Sequence, residues 1–195
     1  MISAIVLAAG YSTRMGQLKA LLDWGGESLV SYQVRQLREA GVDEVIVVLG
    51  HRSDEIRRTM KDVDCRVMVN PRAMMGRSGS LRIGAKAVSR DADAIVVINV
   101  DQPRPAAFLK PLIAAFDPAK AGVRPVRGGK HGHPVVLAGR LRGELMQVDE
   151  EHEGMLAVIR EHASEIADIE TDDLLHLDMN TPEEYAAAKS RFGLK

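Results

Sequence analysis

At 195 residues, 46% hydrophobic and 27% charged, the chain has the balance of a soluble globular protein and the length to bury about 70% of its unfolded surface. A formal net charge of −1 leaves no basic surplus, which excludes a nonspecific nucleic-acid binder. A single cysteine, Cys65, excludes an internal disulfide and a thiolate metal cluster, and no apolar stretch reaches the roughly 20 residues that cross a membrane.

In chain order, apolar β-branched runs alternate with patterns of helical period. Strands are predicted over 3–8, 44–49, 66–69 and 94–100, with helices over 29–40, 53–60 and 80–88 between them. No basic region precedes the first run, so it reads as a strand rather than a signal peptide. The first helix carries the stripe Val30, Val34 and Leu37 and stops at Gly41. Stretches 45–49 and 95–98 are apolar without alternation, which suits strands covered on both faces. Cys65 reads as a buried strand residue. Beyond Asp101 come a helix over 105–116 and strands over 122–126 and 134–138 around the turn RGGKHGH. Helical stretches over 141–147 and 154–162, extended runs over 165–169 and 174–177, and a closing helix over 182–192 complete the chain. The order predicts an α/β fold, a doubly wound and mostly parallel sheet in one domain over 1–195, with its ligand at the carboxyl ends of the strands. The expected location is the cytoplasm.

Chemistry concentrates where the first strand ends. Residues 5–22 read IVLAAGYSTRMGQLKALL. A buried strand that runs into small and polar residues (Gly10, Ser12, Thr13, Gly16) leaves backbone N–H groups free to surround an anion, and Arg14 and Lys19 add fixed positive charge. Many donors, close backbone approach and charge compensation are what a triphosphate requires. The segment is neither a Walker A loop nor a Gly-x-Gly dinucleotide fingerprint.

Four further segments carry polar groups in suggestive places. Asp101 emerges at the carboxyl end of a hydrophobic run, where a hard carboxylate suits Mg²⁺; taken alone it also reads as a turn cap. Asn180 precedes a helix start, with Thr181 as N-cap, Pro182 in first position and Glu183 and Glu184 favoured by the dipole. Asn70-Pro71, followed by Gly76, Ser78 and Ser80, forms a loop that opens a helix and offers small hydrogen-bonding groups to a base or ribose. Met74 and Met75 within it read as packing. Gly132-His133-Pro134-Val135 opens a strand.

Residue for residue, the N-terminal segment resembles the signature LAAGxSxRMGxxKxLL of the MobA-like nucleotidyltransferases, matching Leu7, Ala8, Ala9, Gly10, Ser12, Arg14, Met15, Gly16, Lys19, Leu21 and Leu22. The resemblance implies transfer of NMP from an NTP to a phosphorylated acceptor. It implies a Rossmann-like sheet of the nucleotide-diphospho-sugar transferase type, with a small β-hairpin extension in the C-terminal half. Residues 1–103 would be the NTP-binding half and 104–195 the acceptor-binding half. It continues at Asp101-Gln102-Pro103, the family's metal position, and at Asn180 within DxDTPEDY. It continues also over 70–84 in NPxxxxGmxxSLRxG and at Gly132-His133-Pro134-Val135, the GHPV element beside the acceptor. So carried over, Arg14, Lys19 and Asp101 are catalytic, and Mg²⁺ rests on Asp101 and Asn180. Leu7, Ala8, Ala9, Gly10, Ser12, Asn70, Gly76, Ser78 and Ser80 join Arg14, Lys19 and Asp101 around the nucleotide. Gly132, His133 and Pro134 meet the acceptor.

Two positions depart from the family pattern. Asn180 replaces an acidic metal ligand, removing one negative charge while keeping a carbonyl oxygen; Asp178 is the alternative ligand. The GDxGAR element is missing: residues 149–155 read DEEHEGM, with no arginine for an acceptor phosphate or pterin. The LAAG form and the Ser78/Ser80 loop lean toward CTP over GTP by resemblance, while the residues alone leave both open. The resemblance implies molybdopterin as acceptor and transient contact with a molybdoenzyme or its chaperone. Alternatives are a sugar-phosphate or other small phosphate acceptor, a catalytically weakened nucleotide-binding module, or a nucleotide-sugar glycosyltransferase, which would want Asp-x-Asp where the chain has Asn99-Val100-Asp101.

Overall fold

A computed structural model describes residues 1–12 and 14–195; Thr13 of the N-terminal loop lies outside the described residues. The first half alternates as the periodicity predicts. It runs β1 (Ile2–Ala8), α1 (Leu29–Glu39), β2 (Glu44–Leu49), α2 (Ser53–Arg58), β3 (Arg66–Val69), α3 (Arg77–Ala87) and β4 (Ala94–Asn99). The second half continues with α4 (Ala106–Ala114), β5 (Gly122–Arg127), β6 (Lys130–His131), β7 (Val135–Ala138), α5 (Arg142–Leu145), α6 (Met155–Glu161), β8 (Ile166–Glu170) and α7 (Pro182–Arg191).

The eight strands of the described residues belong to one sheet, in the order β3-β2-β1-β4-β7-β5-β6, with β8 on β5. β3, β2, β1 and β4 are parallel neighbours. β7 runs antiparallel to both β4 and β5, and β8 lies parallel to β5 on its other edge. After β3 the chain returns through α3 and inserts β4 on the far side of β1. That reversal opens a crevice at the carboxyl ends of β1 and β4, where doubly wound sheets take their ligands. The β5–β6 hairpin is the C-terminal extension.

The continuous apolar strands divide their side chains between two cores. Ala4, Val6, Val45, Val47, Val96 and Ile98 face one side, under Leu29, Val34 and Leu37 of α1 and Leu109 and Leu112 of α4. Ile5, Ile46, Val48, Ile95 and Val97 face the other, under Leu81 and Ala85 of α3 and Val158 and Ile159 of α6. α3 lies so close to the sheet that a Cβ on Gly84 would stand 2.5 Å from Ile5 Cγ2. No helix among the described residues is long and apolar enough to cross a membrane.

Four local expectations are corrected. Residues 174–177 do not form a strand: Asp172 caps a short helical turn, Asp173–His176, by accepting the Leu174 N–H at 2.8 Å. The carbonyls of Leu175 and Leu177 go instead to the Arg104 guanidinium, which replaces a strand ladder. Within RGGKHGH, β6 extends the sheet by pairing with β5. Met74 and Met75 do not pack; they stand 80% and 75% exposed on a turn whose Ala73 points inward toward Gly50. Cys65 lies one residue before β3 and is half-buried, and burial raises its thiol pKa.

Candidate active site

β1 ends at Ala8, and the loop after it folds over the crevice. Ser12 adopts a left-handed φ of +53°, a conformation that a non-glycine residue holds only when its surroundings fix it. Its hydroxyl oxygen accepts the Lys19 N–H at 2.9 Å and its carbonyl accepts the Met15 N–H at 3.0 Å. Gly16, at φ +70°, supplies the reversal between those two bonds. Met15, Leu18 and Leu22 are buried and anchor the loop to the core. At its outer rim Tyr11 stacks on His51, ring centroids 5.4 Å apart. The loop is pinned at several points, and Lys19 is directed inward.

Lys19 Nζ meets two oxygens from distant parts of the chain. Asp101 Oδ2 lies 2.7 Å away and Asn180 Oδ1 2.8 Å away. Asp101 is held two residues past β4, where its carbonyl accepts the Met179 N–H at 3.1 Å. Asn180 is set by the cap of α7: Thr181 accepts the Glu184 N–H, and the Glu184 carboxylate accepts the Asn180 N–H at 2.6 Å. The sequence predicts this helix start, and the cap fixes the predicted metal residue. The Lys19 and Asp101 side chains are 14% and 23% exposed, enough for a small cation to enter and too little for full aqueous screening. Two hard oxygens converging on a point that an ammonium occupies form a donor set that fits a divalent ion such as Mg²⁺.

These residues border a cleft of about 240 Å³. Of the residues expected around a nucleotide, Leu7, Ala8, Ala9, Gly10, Ser12, Arg14, Lys19, Gly76, Ser80 and Asp101 line it, with Asn180. Two expected residues do not. Asn70 is buried; its amide donates to Ser80 Oγ at 2.9 Å and its carbonyl oxygen accepts the Arg72 N–H, so it shapes the loop from behind. Ser78 turns away toward a second cavity, its N–H donating to Glu150 Oε1 at 2.5 Å.

The second cavity, about 440 Å³, adjoins the first and shares Leu7 and Arg77 with it. Gly132 and His133 line it, as do Arg124, Glu150, Glu153 and the apolar Leu81, Val135 and Leu156. Pro134 is buried and lines neither cavity; the His133–Pro134 peptide is cis. Burial, reinforced by the Arg77 guanidinium, pushes the His133 imidazole down to about 4, so it is neutral at physiological pH. Its Nδ1 is buried without a hydrogen-bond partner among the described residues. At the rim Arg124 pairs with Asp168 at 2.5 Å and holds that carboxyl below its usual range.

Sequence reasoning missed Arg104, which is fully buried. Its guanidinium donates to the carbonyls of His133, Pro103, Leu177 and Leu175 at 3.0–3.2 Å and lies 5.3 Å from the Phe108 ring. Burial lowers it to about 10, still charged at neutral pH. One side chain thereby ties the segment after Asp101, the strand start at His133 and the approach to Asn180. Its signal in sequence was faint: an arginine between two prolines, with nothing local to say that it turns inward.

The parallel half-sheet, the switch-point crevice and the cation-bridged oxygens define an α/β protein built to bind a charged ligand at its strand ends. The chain belongs to the MobA-like NTP transferase domain family, whose signature spans residues 4–166. Among curated relatives it is 38% identical over 104 residues to a probable molybdenum cofactor guanylyltransferase of Opitutus terrae, covering 52% of this chain and 48% of that protein. It is 29% identical over 108 residues to the mannose-1-phosphate guanylyltransferase catalytic subunit beta of Xenopus tropicalis, covering 50% of this chain and 30% of that protein. The chain thus spans less than half the length of these relatives. A nucleotidyl transferase structure from Methanothermobacter thermautotroptrophicus superposes with TM-score 0.83 at 26% identity, over 98% of this chain and 97% of that one. A structure of Rv0371c from Mycobacterium tuberculosis in complex with manganese does so with TM-score 0.75 at 26% identity, over 95% and 96%.

Proposed function

We propose that the chain transfers NMP from an NTP, CTP ahead of GTP, to the phosphate of a small acceptor of the molybdopterin type, releasing pyrophosphate. The observation that carries this reading is the meeting of Lys19, Asp101 and Asn180 in a cleft that opens onto a second cavity. In the reaction an acceptor phosphate oxygen attacks the α-phosphorus. A new P–O bond forms, the bond to the β-phosphate's bridging oxygen breaks, and its electron pair leaves with pyrophosphate. A phosphate monoester is already anionic near neutral pH, so the chain needs no strong base and works by positioning and electrostatics. Loop amides at Ala9, Gly10 and Ser12 orient the triphosphate, while Arg14 and Lys19 offset its charge and that of the departing pyrophosphate. Asp101 and Asn180 would hold Mg²⁺, which when bound supplies charge neutralisation at the α-phosphate. Residues 1–103 supply most of the nucleotide side and 104–195 most of the acceptor side of one catalytic unit in the cytoplasm, with Asn180 reaching into the first cleft and Arg77 into the second.

The relative acting on mannose 1-phosphate and the carboxylates Glu150 and Glu153 on the second cavity favour a sugar phosphate as the alternative acceptor. The deciding experiment measures pyrophosphate release with CTP and GTP against a panel of phosphorylated acceptors, molybdopterin and hexose 1-phosphates included. Calorimetric titration with the four NTPs and Mg²⁺ tests the base. Clear GTP preference overturns the cytidine assignment, and nucleotide binding without release under any acceptor overturns the transferase.

A further inference from the structure

Arg77 opens α3 at the place where the two cavities meet, and with Leu7 it lines both. Its Nη2 donates to Asn99 Oδ1 at 2.6 Å, and Asn99 in turn donates to Gln102 Oε1 at 3.1 Å. Asn99 ends β4 and is itself buried, so one edge of the guanidinium is tethered to the rigid floor that carries Asp101. Its Nε and Nη1 have no acceptor among the described residues, and no carboxylate of those residues forms an ion pair with it. The other arginine of the second cavity, Arg124, is neutralised by Asp168. Glu150 packs against the start of α3, where its carboxylate accepts the Ser78 N–H, and Glu153 pairs with Arg160. Arg77 is therefore the arginine of this cavity that has no ion-pair partner among the described residues, and it stands at the junction with the nucleotide cleft.

We infer that Arg77 receives the acceptor's phosphate and sets it beside the α-phosphorus. The inference rests on the nucleotidyltransferase reading and adds the residue that grips the second substrate. A guanidinium held by one edge presents the other as a planar pair of donors, the geometry that matches a phosphate. Stretch 149–155, where the family resemblance leads one to expect an arginine, offers carboxylates instead, and position 77 carries an arginine where that pattern has methionine. Acceptors ending in a phosphate monoester satisfy that arginine, and the apolar lining of Leu81, Val135 and Leu156 takes the body attached to that phosphate.

The test uses the full chain and its variants Arg77→Met and Arg77→Lys. Phenyl phosphate, inorganic phosphate and the unreactive α,β-methylene analogue of CTP with Mg²⁺ are each titrated calorimetrically, the phosphates with and without the analogue. Arg77→Met is expected to weaken phenyl phosphate at least 10-fold, the loss of a charge-assisted hydrogen bond, and the nucleotide analogue less than about 3-fold. Arg77→Lys falls between, since an ammonium restores the charge without the fork. Equal losses for both ligands, an unchanged phosphate affinity, or no phosphate binding by the wild type overturn the inference. Phosphate binding by a wild type that takes no nucleotide overturns the transferase reading instead, so the two failures are distinct.

Discussion

Lys19 Nζ stands 2.7 Å from Asp101 Oδ2, and the same ammonium touches Asn180 Oδ1. A residue from the loop after β1, one from the end of β4 and one from the cap of α7 thus share a single point, although 161 positions separate Lys19 from Asn180. The contact gives Lys19 a structural role: it holds the two oxygens in register and compensates the carboxylate.

Removing either partner is expected to reduce NMP transfer by on the order of 10²–10³ or more. Asp101→Ala deletes the only carboxylate of the set, and Lys19→Ala deletes the charge facing it. Neither side chain contributes to the two apolar cores, so circular dichroism should be unchanged for both variants. Pyrophosphate release is the readout, and wild-type turnover in either variant would sink the assignment.

Asn180→Asp restores the carboxylate that the family pattern has at this position. Oxygen-ligand sites tighten as their ligand charge rises, so the Mg²⁺ or Mn²⁺ concentration giving half-maximal activity is expected to fall by about tenfold. The Glu184 carboxylate that caps the Asn180 backbone N–H is untouched by the change, leaving the start of α7 in place. A metal titration of both proteins at fixed nucleotide checks it; equal midpoints would remove Asn180 from the metal set.

The first half of the sheet was legible because β1, β2 and β4 announce themselves by continuous apolar runs and β3 by a shorter alternating one, with a helix between each pair. The places of the loop after β1 and of Asp101 at the crevice followed, since both lie directly after such runs. What the sequence left unread depends on contacts between distant segments. Gly84, part of a motif read for its resemblance to a base-binding loop, is needed because α3 presses against Ile5. Asn70 and Ser78 are spaced like ligand residues, yet Asn70, directly after β3, turns behind the loop to Ser80, and the first turn of α3 aims Ser78 into the next cavity. Residues 174–177 look extended, and their carbonyls are claimed by Arg104 from the other side of the fold.

Arg104→Leu keeps volume and removes the donors of four buried carbonyl bonds. Those carbonyls would remain in a dry interior, each unsatisfied group costing about 1–3 kcal/mol, part of which the freed backbone recovers by relaxing. A net loss of roughly 3–5 kcal/mol is expected, measured by urea unfolding. Arg104→Lys should recover little of it, because a point-like ammonium cannot span carbonyls that the planar guanidinium reaches together.

His133 gives the protein a defined acid sensitivity. An imidazole in the unfolded chain titrates near 6.5, while burial and the neighbouring Arg77 charge hold the folded one at about 4. Between those values the unfolded chain binds the additional proton, so stability falls as pH drops from about 6.5 to about 4, by up to roughly 3 kcal/mol. Above 6.5 the group is neutral in both states and contributes no slope. The carboxyls of Asp149 and Asp168 are held below their ordinary 3.8 by hydrogen bonds from the His152 backbone and from Arg124. Their contributions are present above 3.8 and are lost at lower pH, which separates the two windows. Urea midpoints at pH 7, 5.5 and 4.5 should therefore decline for the wild type, and His133→Asn should flatten the decline. A wild type equally stable at pH 7 and 4.5 would exclude a neutral imidazole at the second cavity.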